Sequence, residues 1–197
     1  MSDQIWNYTI QYHDLVLRSV SVGCQLALDV GCGTGLVTRK LASRSESVIG
    51  IDLEPEILSL ARSLTQPESR IQFIEGDVMT YPFVPASFDF ISAVATLHHL
   101  QLRPALARFR DLLKPGGTLA VIGLYRTETL GDYAAHAIAR PISRVLRVVR
   151  GCTRLPTRKL APQQTLADVR GACDALLPGA AIRRLLLFRY SLIWRKG

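Results

Sequence analysis

The chain lacks any stretch near the roughly 18 consecutive apolar residues that a membrane-spanning helix needs. Its opening, MSDQIWNYTIQYHD, has no basic segment followed by an apolar run, so no secretory leader is legible. Cysteine is sparse: Cys24, Cys32, Cys152 and Cys173 include no CxxC pair, and no histidine pair completes a zinc signature. A disulfide scaffold and a metal site are therefore not expected, and a cytoplasmic chain with reduced thiols is. Internal repeats and low-complexity tracts are missing too, which excludes collagen-like and coiled-coil architectures. What remains is 197 residues, 48% hydrophobic and 20% charged, enough apolar material for a buried core in one domain spanning 1–197.

Acidic residues are scarce in the last third. Residues 140–197 carry 13 Lys/Arg against only Asp168 and Asp174, whereas residues 1–139 carry 11 Lys/Arg and 14 Asp/Glu. The formal charge of +8 thus belongs to the C-terminal part, and electrostatic arguments about partners belong there.

Short, continuously apolar runs at 25–30 (QLALDV), 47–51 (SVIGI), 71–75 (IQFIE), 87–94 (SFDFISAV) and 118–124 (TLAVIGL) read as buried strands. Helical patterns at 35–42, 55–64 and 104–113 alternate with them, and Lys114-Pro115-Gly116-Gly117 reads as a stop and turn. Such alternation predicts a doubly wound α/β fold, a mostly parallel sheet with helices on both faces. A helix over 5–21 precedes this core as a cover on residues 1–23, the core itself running over 24–126. A basic helical insertion and closing strands follow over 127–197: a helix at 130–149 kinked near Pro141, a loop at 155–162, a helix over 165–177 capped near Thr165, and one or two antiparallel edge strands within 181–195.

The sharpest motif is Asp29-Val30-Gly31-Cys32-Gly33-Thr34-Gly35, which closes the first strand and opens a helix. Glycines there let backbone turn sharply and approach a ligand closely, and the helix beyond offers unpaired N–H groups. A dinucleotide fingerprint would need glycine at position 36, which is Leu36, and the Gly-Lys-Ser/Thr ending of a phosphate loop is missing. Asp52 ends the second strand and Asp77 follows the third. In a parallel sheet those ends converge on one edge. Three carboxylates there suit a cationic ligand with hydroxyl or amino groups and repel a pyrophosphate. The plain alternative is that each Asp merely caps a following turn.

In LALDVGCGTG, VIGIDLEPEIL, FIEGDV, SFDFISAVATLHHL and LLKPGGTLAVIG, the chain resembles the class I S-adenosylmethionine-dependent methyltransferases, especially small ones acting on metabolites. The resemblance covers residues 24–124 most closely. It implies a seven-stranded sheet with the last strand antiparallel, S-adenosyl-L-methionine as cofactor and S-adenosyl-L-homocysteine as product. It also implies roles. Gly31, Cys32, Gly33 and Gly35 would lie against the methionine part, and Asp29 would help hold its amino group. Asp52 would bind the ribose hydroxyls and Leu53 would pack on the adenine. Asp77 would accept from the adenine amino group beside the Val78 backbone, and Ala93 and Val94 would line the methionine end.

Methyl transfer from a sulfonium needs mainly alignment and exclusion of water, with a base where the acceptor must lose a proton. The histidines are His13, His98, His99 and His136. His98 and His99 follow the fourth strand, and His13 sits on the N-terminal cover near Trp6, Tyr8 and Tyr12. The candidates are His13, His98 and His99, and the choice among them stays open. Cys32 reads as a small residue in a crowded turn rather than a nucleophile. Arg140, Arg144, Arg147, Arg150 and Arg154 fall on one helical face. A solvated face, a lid over a small acceptor, an anionic-membrane contact and a nucleic-acid contact all fit that ladder. The favoured function is methyl transfer to a small-molecule acceptor; the alternatives are an RNA or protein methyltransferase and a non-catalytic scaffold of the same fold. Monomer and homodimer both fit the apolar tail.

Overall fold

The computed structural model describes residues 9–67, 69–126, 128, 161–186 and 188–197. The expected helix at 130–149, the arginine ladder, His136 and Cys152 lie outside them. A 3-10 turn (Ile10–Tyr12) leads into α1 (His13–Arg18). There follow β1 (Leu26–Val30), α2 (Leu36–Leu41), β2 (Ser47–Asp52), α3 (Pro55–Ser63), β3 (Ile71–Glu75) and β4 (Phe88–Val94). A second 3-10 turn (Leu97–His99) precedes α4 (Leu102–Leu112) and β5 (Leu113–Leu124), and the described chain closes with α5 (Leu166–Leu176), β6 (Ala181–Leu185) and β7 (Arg189–Arg195).

The strands form one seven-stranded sheet in the order β3-β2-β1-β4-β5-β7-β6. The first five pair in parallel, and β7 runs antiparallel to both β5 and β6. The expected doubly wound sheet with a reversed last strand is what forms. Strand side chains alternate between faces. Leu28 and Val30 join a cluster with Leu106 and Phe109 of α4 and Val169 of α5, whereas Ala27 packs on the other face with Val16 of α1 and Val37 and Leu41 of α2. Each such large side chain removed from water contributes about 1.5–3 kcal/mol. Asp29 shares the parity of Ala27 and therefore points toward α2. Thr165 begins α5 with a capping box: its Oγ1 accepts from Asp168 N–H at 3.1 Å while Asp168 Oδ2 accepts from Thr165 N–H at 2.8 Å.

Two local expectations change. Lys114-Pro115-Gly116-Gly117 is not a loop but part of β5: Leu113 already pairs with Phe88, and the ladder absorbs the glycines through a register shift with Gly116 at φ +76°. The closing strands are not both at the edge. β7 carries buried Tyr190, Ser191, Leu192 and Trp194 and fills an interior position, whereas β6 exposes Arg183 and Arg184 and takes the edge. An interior strand needs cover on both faces, and charges on an edge discourage further pairing.

Candidate cofactor cleft

The strand order reverses between β1 and β4, and the carboxyl ends of the strands open there into a cleft of about 350 Å³. The glycine turn forms its floor. Gly31 and Cys32 N–H both donate to Ile51 O, at 2.8 and 3.1 Å, which fastens the turn to β2. Gly31 sits at φ +65°, and a Cβ there would lie 2.3 Å from Thr96 Oγ1, so both conformation and space call for glycine. Gly35 caps α2 in the left-handed region, behind the cleft. Opposite the turn, Ala95 is left-handed at φ +56° without being glycine, and its N–H donates to Ile122 O at 2.7 Å. That conformation costs on the order of 1–2 kcal/mol and swings the chain at the end of β4 so that Thr96 meets Gly31.

Asp29, Asp52 and Asp77 all line the cleft. Asp29 is 1% exposed. Its Oδ2 accepts from Thr38 Oγ1 and its Oδ1 from Ser92 Oγ, each at 2.7 Å. Burial pushes its carboxyl up to about 6, although both hydroxyl bonds pull the other way. Asp52 Oδ2 accepts from Gly33 N–H at 2.8 Å and Oδ1 from Glu54 N–H at 3.1 Å, so the second acid also fixes the glycine turn. Asp77 Oδ1 accepts from Met79 N–H at 2.9 Å. Neither Asp77 Oδ2 nor Val78 N–H makes a hydrogen bond among the described residues.

Of the residues singled out in the sequence, Asp29, Gly31, Cys32, Gly33, Asp52, Leu53, Asp77, Val78, Val94, His13 and His99 border this one cleft; Gly35, Ala93 and His98 do not. Ala93 is wholly buried in β4. Cys32 is buried, and its thiol is driven far above the usual range by burial, with Asp29 and Asp52 adding to the effect, so a thiolate nucleophile is disfavoured. His13 is 4% exposed; burial, then the charge of Lys40, lowers its pKa to about 4 against an opposing pull from Asp14, leaving it neutral near pH 7. His98 is lowered to about 4 as well, by burial first, then His99 and Arg189. Nδ1 of each of these two rings is enclosed without a hydrogen-bond partner among the described residues.

Sequence reasoning missed Thr38 and Ser92, which hold Asp29, and Thr9, Ala95 and Thr96, which border the cleft. Ser92 sits directly beside Asp29 in the β1–β4 ladder, a relation that becomes legible only once the strand order is known. Thr9 Oγ1 accepts from Arg189 Nε at 3.2 Å, and Tyr12 Oη donates to Leu186 O at 3.0 Å, tying the N-terminal cover to the closing hairpin.

A sequence profile described as a methyltransferase domain matches residues 28–121. An uncharacterized methyltransferase of Mycobacterium tuberculosis (strain ATCC 25618 / H37Rv) is 37% identical over 195 residues, covering 98% of this chain and 98% of that protein. A ubiquinone biosynthesis O-methyltransferase of Xylella fastidiosa (strain M23) is 39% identical over 120 residues, 58% of this chain and 48% of that protein. Among solved structures, a SAM-dependent methyltransferase from Methanosarcina mazei superposes with a TM-score of 0.66 at 20% identity, covering 98% of both chains, which concerns the fold alone. With a relative this similar along nearly its whole length, and with the sheet order and strand-end cleft described above, the chain belongs to the class I S-adenosylmethionine-dependent methyltransferases.

Proposed function

We propose that the chain moves a methyl group from S-adenosyl-L-methionine to a small-molecule acceptor and releases S-adenosyl-L-homocysteine. One observation carries the reading: acids from the ends of three adjacent strands, Asp29, Asp52 and Asp77, border a single cleft. The residues present fit the cofactor. Asp77 Oδ2 and Val78 N–H, an acceptor and a donor with no partner among the described residues, complement the amino group and ring nitrogen on one edge of adenine. Leu53, 58% exposed at the cleft, offers an apolar surface to the same base. Asp52 keeps lone pairs for the ribose hydroxyls while its existing bonds hold it still. Gly31, Cys32 and Gly33 present backbone to the methionine portion, Val94 borders that end, and Gly35 and Ala93 support them from behind. Asp29 anchors the floor and sets a negative charge beneath the amino group.

When bound, the cofactor supplies a sulfonium methyl with a good leaving group. The chain's part is to orient the acceptor in line and keep out water. Thr9, His13, His99 and Leu100 form a border free of carboxylates, suited to an acceptor with an apolar body and a hydroxyl or amino nucleophile. Burial keeps His13 in its base form near pH 7, and His13 and His99 are the imidazoles that line the cleft among the described residues, the candidates to take an acceptor proton.

Titration calorimetry of ligand-stripped protein with S-adenosyl-L-homocysteine tests the reading. Binding is expected, weakened by about 1–3 kcal/mol in Asp52→Ala, the scale of losing charge-assisted hydrogen bonds. No binding by the unaltered protein would overturn it. Transfer of isotopically labelled methyl to a metabolite panel then separates the enzyme from an idle cofactor-binding scaffold.

A further inference from the structure

Asp77 heads a single turn of chain whose two ends are held by different means. At the front, Asp77 Oδ1 accepts from Met79 N–H, and Asp77 O accepts from Thr80 and Tyr81 N–H at 3.1 and 2.7 Å. At the back, Arg108 of α4 reaches across: its Nε donates to Val78 O at 3.2 Å and its Nη2 to Tyr81 O at 2.6 Å. A continuing helix would have paired those carbonyls, but the chain turns away at Pro82. Tyr81 O has a second donor, Phe83 N–H at 2.8 Å; Val78 O has Arg108 alone among the described residues. Arg108 makes no ion pair with a described carboxylate, so its fork is committed to these two backbone oxygens.

The far end of the loop is secured separately. The Tyr81 ring packs on Gly76, where a Cβ would approach it to 3.0 Å, and lies tilted against Phe83 with centroids 4.5 Å apart. The aromatic contacts therefore hold residues 81–83, while the carbonyl of the Val78–Met79 peptide is held by the guanidinium and the Val78 side chain by the core. That peptide's N–H belongs to Met79 and donates to Asp77 Oδ1, so the guanidinium is linked to the Asp77 carboxylate through one amide plane, whereas Val78 N–H belongs to the preceding peptide, whose carbonyl, Asp77 O, is held by Thr80 and Tyr81 N–H.

We infer that Arg108 is a positioning residue that sets base selectivity: by gripping Val78 O from behind, it fixes the Met79 N–H that holds Asp77 Oδ1, and so keeps Asp77 Oδ2 in the spacing beside Val78 N–H that matches adenine. The inference rests on the cofactor reading above. Hypoxanthine reverses the pattern on that edge, with an oxygen acceptor and an N–H donor, so it is the natural competitor.

The test is calorimetry of S-adenosyl-L-homocysteine and S-inosyl-L-homocysteine against the unaltered chain, R108M and R108K. Methionine keeps the apolar stem and removes both donors. The unaltered chain should prefer the adenine compound. In R108M its affinity should fall about tenfold, the scale of a lost charged hydrogen bond, while the inosine compound changes less than about threefold, so the preference collapses. R108K, with a single ammonium for two carbonyls, should fall between. A uniform loss for both compounds, or an unchanged preference, would overturn the inference and leave Arg108 merely structural. Equal binding of both compounds to the unaltered chain would overturn it while leaving the cofactor reading intact; binding of neither would defeat that reading itself. If R108M fails to fold, the same ratio in R108K decides.

Discussion

Asp29→Asn should make the protein more stable and a poorer binder. The Asp29 carboxyl is raised from 3.8 to about 6 by burial. Between those values the folded chain holds more protons than the unfolded one, so stability falls as pH rises through the window; above it the full cost stands. A shift of that size corresponds to about 3 kcal/mol. Asparagine removes the charge but keeps the shape. Thr38 Oγ1 can still donate to the amide oxygen. Ser92 Oγ already lies 3.4 Å from Leu28 O and can turn its proton there, accepting from the new amide instead. Because that rearrangement is imperfect, the gain expected at pH 7.5 is about 1–2 kcal/mol, or roughly 2–8 °C in Tm for a chain of this size. Urea unfolding at pH 7.5 and at pH 4 measures it. At pH 4 Asp29 is largely protonated, and the difference between the two proteins should nearly vanish. S-adenosyl-L-homocysteine binding should weaken at pH 7.5. An Asn variant less stable than the parent at pH 7.5, or a gain undiminished at pH 4, would refute the account of Asp29 as a buried charge held at a stability cost.

Gly31→Ala should lose about 2–5 kcal/mol, adding a left-handed penalty to an overpacking one; replacing Thr96 with glycine in the same chain should recover part of that loss in urea unfolding, since the clash is with its side chain. His13 works in the opposite sense to Asp29. Its folded pKa near 4 lies below the ordinary 6.5, so stability is lost as pH falls from about 6.5 to 4 and then levels. Removing the titration with His13→Gln should shrink that acid loss by up to about 3 kcal/mol, and an unchanged pH profile would contradict the burial argument.

Much of the architecture was legible because parallel strands covered on both faces must be continuously apolar. The runs at β1, β2, β4 and β5 stand out for that reason, whereas β3 sits at the sheet's edge with no residue buried, and Thr165 announced its helix by its cap. The proline and glycines after Leu113 misled because a bulge and a turn use the same residues; which one forms depends on pairing with Phe88 and with Lys196, far away in sequence. The acids at the strand ends could be found by spacing. Their supporting hydroxyls could not, because Ser92 meets Asp29 only through the β1–β4 ladder. The separation of His98 from its neighbour His99 also escaped, since a 3-10 turn directs successive side chains to different surroundings.

The inward seat of β7 bears on how the molecule assembles. Until residues 189–195 arrive, β5 presents an open ladder from Thr118 to Leu124, seven positions of unpaired backbone beneath mostly apolar side chains, ready to accept any strand. Those partners are the most distant in sequence of the sheet's pairings among the described residues, so the seam closes late and by slow, long-range search. Sequence changes that weaken β7 should therefore reveal themselves first as self-association during refolding, well before they register as a lower melting point.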